Sequence, residues 1–213
     1  MKALDLFCGA GGASTGLARA GFEVVGVDIE PQPEYPFEFI RGDACRPPVR
    51  LDAFDFVWAS PPCQAHSIAA RRWKNAGKEY PDRVAETRAL LESSGVPFVM
   101  ENVPGAPLRR DLVLSGGMFG RNVKRDRIFE IHGFRAERPK RRRHIEPLCT
   151  VAGHGGNSRS YKMADWCWAM GIDWMSKERL CQAVPPDYSE YIARAFLRCT
   201  TAPATGNAGP LHA

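Results

Sequence analysis

Cys63 stands in Ala59-Ser60-Pro61-Pro62-Cys63-Gln64, where two prolines stiffen the backbone just ahead of a thiol at the end of an apolar run. A thiol held at a strand end suits a nucleophile, and the same placement would equally suit a buried structural cysteine. Glu101-Asn102-Val103 ends a later apolar run, and an acid there would share a sheet edge with Cys63. Near the start of the chain, Cys8-Gly9-Ala10-Gly11-Gly12 follows the apolar residues 3–7. Glycines let backbone approach a ligand closely, although this spacing differs from the GxGxxG dinucleotide pattern. Two acids extend that signal. Asp28 ends the second apolar run, where a carboxylate can accept from both ribose hydroxyls, and Asp43 follows Gly42, where an adenine amino group can be met.

These residues need a frame that brings strand ends together. Residues 3–7, 23–28, 37–40, 54–59 and 97–103 read as strands, with shorter candidates at 112–114 and 127–131. Residues 14–20 read as a helix closed by Gly21, and 82–93 as a second, with Val84, Thr87 and Leu91 on one side and Gly95 just past its end. Strand and helix alternate, which predicts an α/β domain with a mainly parallel central sheet and helices on both faces. Ligands of such sheets bind at the C-terminal strand ends, where the candidate residues all fall. Beyond residue 133 the alternation stops. A helical stretch is expected at 163–170 and a last helix over 187–198. Trp166 and Trp168 flank Cys167 and cannot share a helix face, so one is expected in the core and the other exposed.

The whole chain bounds the chemistry. Its 213 residues suffice for one compact domain with a sizeable core. There is no apolar run long enough for a membrane helix and no signal-peptide pattern at the N-terminus, so a cytoplasmic protein with no membrane partner is expected. Seven cysteines without a CxxC pair argue against a disulfide framework and a zinc site; no metal is expected. The net charge of +5 is unevenly spread: residues 121–144 are rich in Arg and Lys and end in Lys140-Arg141-Arg142-Arg143-His144. Such a run fits phosphate contact or a solvated loop. His154, among glycines, reads as part of a flexible loop.

Taken in order, Asp5-Leu6-Phe7-Cys8-Gly9-Ala10-Gly11-Gly12, Pro61-Pro62-Cys63-Gln64, Glu101-Asn102-Val103, Arg125-Asp126-Arg127 and Gln182-Ala183-Val184-Pro185-Pro186 resemble the motifs of DNA cytosine-5 methyltransferases. The resemblance covers roughly residues 3–197. It implies a Rossmann-like S-adenosylmethionine-dependent methyltransferase fold, a catalytic domain over 1–199, a reduced basic region at about 130–181 and a disordered tail over 200–213. It implies Cys63 as nucleophile, Glu101 as the acid that meets the cytosine ring, and Arg127 at its carbonyl oxygen. Arg125 joins this catalytic group with a structural or phosphate role. The S-adenosyl-L-methionine pocket is expected to draw on Phe7, Cys8, Gly9, Ala10, Gly11, Gly12, Asp28, Ile29, Asp43, Ala44, Pro62, Gln182 and Ala183. Gln64, Ser67 and Asn102 are expected on the substrate side.

Three departures from the family pattern stand out. Val123 occupies a position where the family usually has Gln, and Cys181-Gln182-Ala183-Val184 stands where Gly-Asn-Ala/Ser-Val is usual. The interval between Arg127 and Gln182 is also too short for a full target-recognition domain. Little or short sequence specificity is therefore expected. DNA, duplex or single-stranded, is the expected partner. The same chemistry on RNA or free cytosine nucleotides, and a catalytically silent nucleic-acid-binding module, are the alternatives. The resemblance implies a setting in restriction-modification in a bacterial cell or in a phage-infected host.

Overall fold

The computed structural model describes residues 1–66, 80–140, 149–151 and 161–201. Seven strands form the frame: β1 (Lys2–Leu6), β2 (Glu23–Asp28), β3 (Glu38–Arg41), β4 (Phe56–Ala59), β5 (Phe98–Asn102), β6 (Leu112–Leu114) and β7 (Arg127–His132). Among the described residues, five α-helices accompany them: α1 (Gly12–Arg19), α2 (Val84–Ser94), α3 (Met163–Met170), α4 (Lys177–Gln182) and α5 (Pro186–Thr201). The strands form one sheet in the order β3-β2-β1-β4-β5-β7-β6. Pairing is parallel from β3 through β5, while β7 runs antiparallel to both β5 and β6. This is the α/β sheet the sequence predicts. Strand order reverses between β1 and β4, which opens a crevice at their C-terminal ends.

The two-residue period of the strands divides the core. On β4, Phe56 and Trp58 face one side of the sheet, with Leu17 of α1 and Tyr188, Ile192 and Phe196 of α5. Val57 and Ala59 face the other, with Val84 and Leu91 of α2. Helices therefore cover both faces. The rings of Phe22, Phe56, Phe134 and Phe196 cluster with centroids 5.0–6.2 Å apart. Each buried ring contributes roughly 1.5–3 kcal/mol. Helices α1 and α5 approach until a side chain at Gly16 would overlap Pro186 O and Ser189 Oγ. A third cluster joins Trp166, Met170 and Ile172 to Leu180 and to Ala10 of the glycine turn. It fixes the C-terminal helices against the loop that follows β1.

Several boundaries differ from the sequence reading. The first strand stops at Leu6 because Phe7 turns to a φ of 59°. Helix α1 starts two residues early, directly from Gly11 at φ 86°. Helix α4 was not foreseen; six residues are too few for a periodic signal. Helix α5 runs to Thr201, so the first two residues of the expected tail are helical. The remainder of that tail, the end of the basic run at 141–144 and His154 lie outside the described residues. Trp166 is buried and Trp168 is 61% exposed, as their spacing requires. No described helix is long and apolar enough to cross a membrane.

Candidate active site

A cavity of about 400 Å³ opens at the C-terminal ends of β1, β2, β4 and β5. Its first half is built by the turn after β1. Phe7 and Gly9 both take left-handed backbone, at φ 59° and 50°. For Phe7 that conformation costs roughly 1–3 kcal/mol, the kind of strain found where a loop is shaped for a ligand. Gly9 N–H donates to Asp28 Oδ2 at 2.9 Å, so the end of β2 holds the turn. Asp28 Oδ1 accepts from Glu30 N–H at 3.0 Å. A side chain added at Gly9 would meet nothing within 4 Å. Phe7, Cys8, Gly9, Ala10 and Gly12 border the cavity, as do Asp28, Ile29, Asp43 and Ala44. Asp43 Oδ1 accepts from Cys45 N–H, which shapes that corner.

The segment around α4 closes this half from outside. Trp174 Nε1 donates to Ala10 O at 3.0 Å, and Ser176 N–H donates to Glu34 Oε2 at 2.9 Å. The backbone then crosses so near the glycine turn that a side chain at Gly12 would lie 2.5 Å from Val184 O. Gln182 and Ala183 thereby join the cavity wall. Two buried oxygens of the wall, Asp5 Oδ1 and Gln32 Oε1, have no partner among the described residues. Orphaned oxygens of this kind fit a site meant for a polar ligand.

The second half is made of side chains. Pro61, Pro62, Cys63 and Gln64 border it, facing Glu101 and Arg127. The proline loop is pinned at three points. Ser60 N–H donates to Leu6 O at 3.1 Å, Asn102 Nδ2 to Pro61 O at 2.9 Å, and His66 N–H to Cys63 O at 3.0 Å. Glu101 is buried, and Arg127 Nε lies 2.8 Å from its Oε1. Burial pushes the Glu101 carboxyl above its ordinary range, against the pull of Arg127 and of a hydrogen bond with Ser60. Ser60 Oγ in turn accepts from Trp58 Nε1 at 3.0 Å. Burial also raises the Cys63 thiol, and Glu101 adds to this, while Arg127 and Arg125 oppose it. The resting group is therefore a thiol whose proton leaves more readily when the guanidinium groups are close.

Not every candidate reaches the cavity. Arg125, expected among the catalytic residues, is buried behind the wall, and among the described residues its guanidinium hydrogen bonds go to backbone carbonyls. Its guanidinium donates to Ala183 O at 3.0 and 2.7 Å, to Cys181 O at 2.8 Å and to Val151 O at 3.2 Å. It ties the α4 segment to the start of β7. Asn102 supports the proline loop rather than bordering the cavity, and Gly11 packs against Tyr35 and Pro36. Ser67 lies outside the described residues.

Some lining residues escaped the sequence reading. Asp5 carried a signal, since an acid inside a buried apolar strand is uncommon. Ser60 stood within the quoted motif. Arg83 and Arg179 reach the cavity through tertiary packing alone. Part of the basic run is also structural. Arg121 pairs with Asp187 at 2.5 Å, whereas Lys124, Arg135, Arg138 and Lys140 are exposed.

Residues 1–111 match the family described as C-5 cytosine-specific DNA methylase. A type II methyltransferase, M.HgiDI of Herpetosiphon aurantiacus, is 30% identical over 122 residues, covering 52% of this chain and 39% of the relative. The matched part thus spans about two fifths of that relative's length. The Dnmt2 methyltransferase of S. pombe superposes with a TM-score of 0.62 over 95% of this chain and 100% of its own, at 14% identity. The Entamoeba histolytica methyltransferase EhMeth does so at 0.60 over 95% and 99%, at 11% identity. At such identities these two establish the methyltransferase fold alone. With more than half of its length matched by the family description, the chain belongs to the C-5 cytosine-specific DNA methylases.

Proposed function

We propose that the protein transfers a methyl group from S-adenosylmethionine to carbon 5 of cytosine in DNA, through a transient bond between Cys63 and carbon 6. The observation that carries this reading is the convergence of Cys63, Glu101 and Arg127 on one end of a cavity whose other end is a glycine cradle with ribose- and adenine-side acids. S-Adenosylmethionine fits that cradle by its chemistry. Open space stands over Gly9, Asp28 and Asp43 supply acceptors, and two orphaned oxygens await polar partners. When bound, this cofactor supplies an electrophilic methyl group on a sulfonium.

The side chains then divide the work. Cytosine carbon 5 is too weak a nucleophile to act unaided. Cys63 gives its proton to solvent and adds to carbon 6, which moves ring electrons toward carbon 5. Glu101, raised by burial and so able to carry a proton, hydrogen-bonds ring nitrogen 3 and the exocyclic amine. Arg127 meets the cytosine carbonyl oxygen while its pairing aligns Glu101. Carbon 5 takes the methyl group, leaving a neutral thioether behind, and gives its proton to solvent. The Cys63–carbon 6 bond then breaks, restoring the aromatic ring and the thiolate. In duplex DNA the base must first leave the stack.

The short interval between Arg127 and Gln182 supports little sequence specificity, and it also favours a second reading, the same chemistry on RNA or free cytosine nucleotides. Exposed Lys124, Arg135, Arg138 and Lys140 favour a phosphate polymer. A tritiated-methyl assay against duplex DNA, single-stranded DNA, RNA and dCMP separates these. Incorporation into DNA is expected; incorporation only into RNA or dCMP would replace the first reading with the second. Bisulfite sequencing of DNA from expressing cells should show methylation spread over many contexts, and confinement to one four-to-six-base site would contradict loose specificity.

A further inference from the structure

Asp5 lies inside β1 with no solvent exposure. Its Oδ2 accepts from the Ser14 hydroxyl at 2.5 Å, and Ser14 Oγ is 2.8 Å from the Tyr35 hydroxyl. Its Oδ1 has no partner among the described residues, yet the residue borders the cavity. An unpaired buried carboxylate oxygen is costly unless a ligand meets it or a proton neutralises the group. On the flanking strands Asp5 stands opposite Gly26 and Trp58, neither of which titrates. The charged groups that bear on it are Asp28 at the end of β2 and Glu101 on β5, both acids. Cys8 and Tyr35 are pushed far upward by burial and stay neutral. Burial, with smaller contributions from Asp28 and Glu101, lifts the Asp5 carboxyl to about 7 against the Ser14 hydrogen bonds.

Acid side chains outnumber basic ones around the cavity, although the chain carries a net +5. Five carboxyl groups border it (Asp5, Asp28, Glu30, Asp43 and Glu101), against three guanidinium groups, Arg83, Arg127 and Arg179. Arg127 is committed to Glu101, and Arg83 to Glu86. Such a surround favours a cation. On the cofactor reading above, the methyl donor carries a sulfonium charge that its thioether product lacks, while both share the same ammonium and carboxylate.

We propose that Asp5 is a proton-linked counter-charge by which the cavity distinguishes the charged methyl donor from its neutral product. Arrival of the sulfonium drives Asp5 to its ionised form and releases a proton to solvent. Once the methyl group has gone, the carboxyl takes a proton back, and the product loses an electrostatic partner. Donor affinity then falls as pH drops below neutrality, because the free protein must first give up the Asp5 proton.

Titration calorimetry on the full chain tests this with S-adenosylmethionine and S-adenosylhomocysteine, at several pH values and in two buffers of different ionisation enthalpy. Near pH 7 the donor should release about half a proton more than the product, and its affinity should weaken about fivefold from pH 7 to pH 6. Asp5→Asn should remove this difference, lowering donor affinity at pH 8 by about tenfold and product affinity by less than about twofold. Ser14→Ala, which takes away a hydrogen bond that favours the carboxylate, should move the midpoint to higher pH. Equal proton release by both ligands, or none by either, overturns the proposal while leaving the cofactor reading intact. Failure of both ligands to bind overturns the two together.

Discussion

The two ends of the cavity are made of different material. The glycine end is backbone: Phe7 and Gly9 in left-handed conformation, a turn held by Asp28, and the α4 segment crossing over Gly12. The thiol end is side chains: Cys63 on a pinned proline loop, and Glu101 paired with Arg127 under cover. A backbone cradle is sensitive to added volume and supplies shape. A side-chain cluster is sensitive to removed atoms and supplies proton and charge chemistry. The two ends should therefore fail differently, binding in one case and turnover in the other.

The largest effect is expected at Cys63. Cys63→Ala should lower methyl transfer by more than about a thousandfold while S-adenosylmethionine affinity stays within about twofold. A parallel loss of affinity, measured by calorimetry, would show that the ends are not separable. Glu101→Gln keeps the shape and removes the proton, so turnover should fall by about a hundredfold to ten-thousandfold, again with binding retained. The reverse pattern belongs to Gly12→Ala. Its new methyl group would sit 2.5 Å from Val184 O, so cofactor dissociation constants should rise about tenfold or more, with turnover at saturation much less affected. Arg125 sharpens the comparison because it connects the ends. Arg125→Ala leaves three carbonyls unpaired and should weaken cofactor binding about tenfold, and Arg125→Lys should recover part of that loss. The smallest effect is a pH shift. Burial raises the Cys63 thiol, so its iodoacetamide alkylation should be slow at neutral pH and speed up toward alkaline pH. Arg127→Met, which removes a charge that favours the thiolate, should move the profile higher still.

What the sequence made legible follows from range. The glycine turn, the Pro61-Pro62-Cys63 loop and the strand-end acids are local patterns, and each falls at the edge of the sheet its position requires. Arg125 and Arg127 look alike two residues apart. Only tertiary packing turns one toward Glu101 and the other toward the carbonyls of residues 151, 181 and 183. Asp5 is visible as an acid inside an apolar strand, but its significance comes from an oxygen that no described residue meets. The α4 segment was hidden for a different reason. It is short, and it stays in place through Trp174, Ser176 and Arg125 rather than through its own periodicity.

The central claim is that Cys63 forms a bond to cytosine. The most direct measurement is mass spectrometry after incubating the protein and S-adenosylmethionine with DNA carrying 5-fluorocytosine, whose fluorine blocks the final loss from carbon 5. A methylated nucleotide attached at Cys63, formed only when cofactor is present and missing from Cys63→Ser, is the predicted result. Retained DNA binding with no adduct at Cys63 would contradict the account.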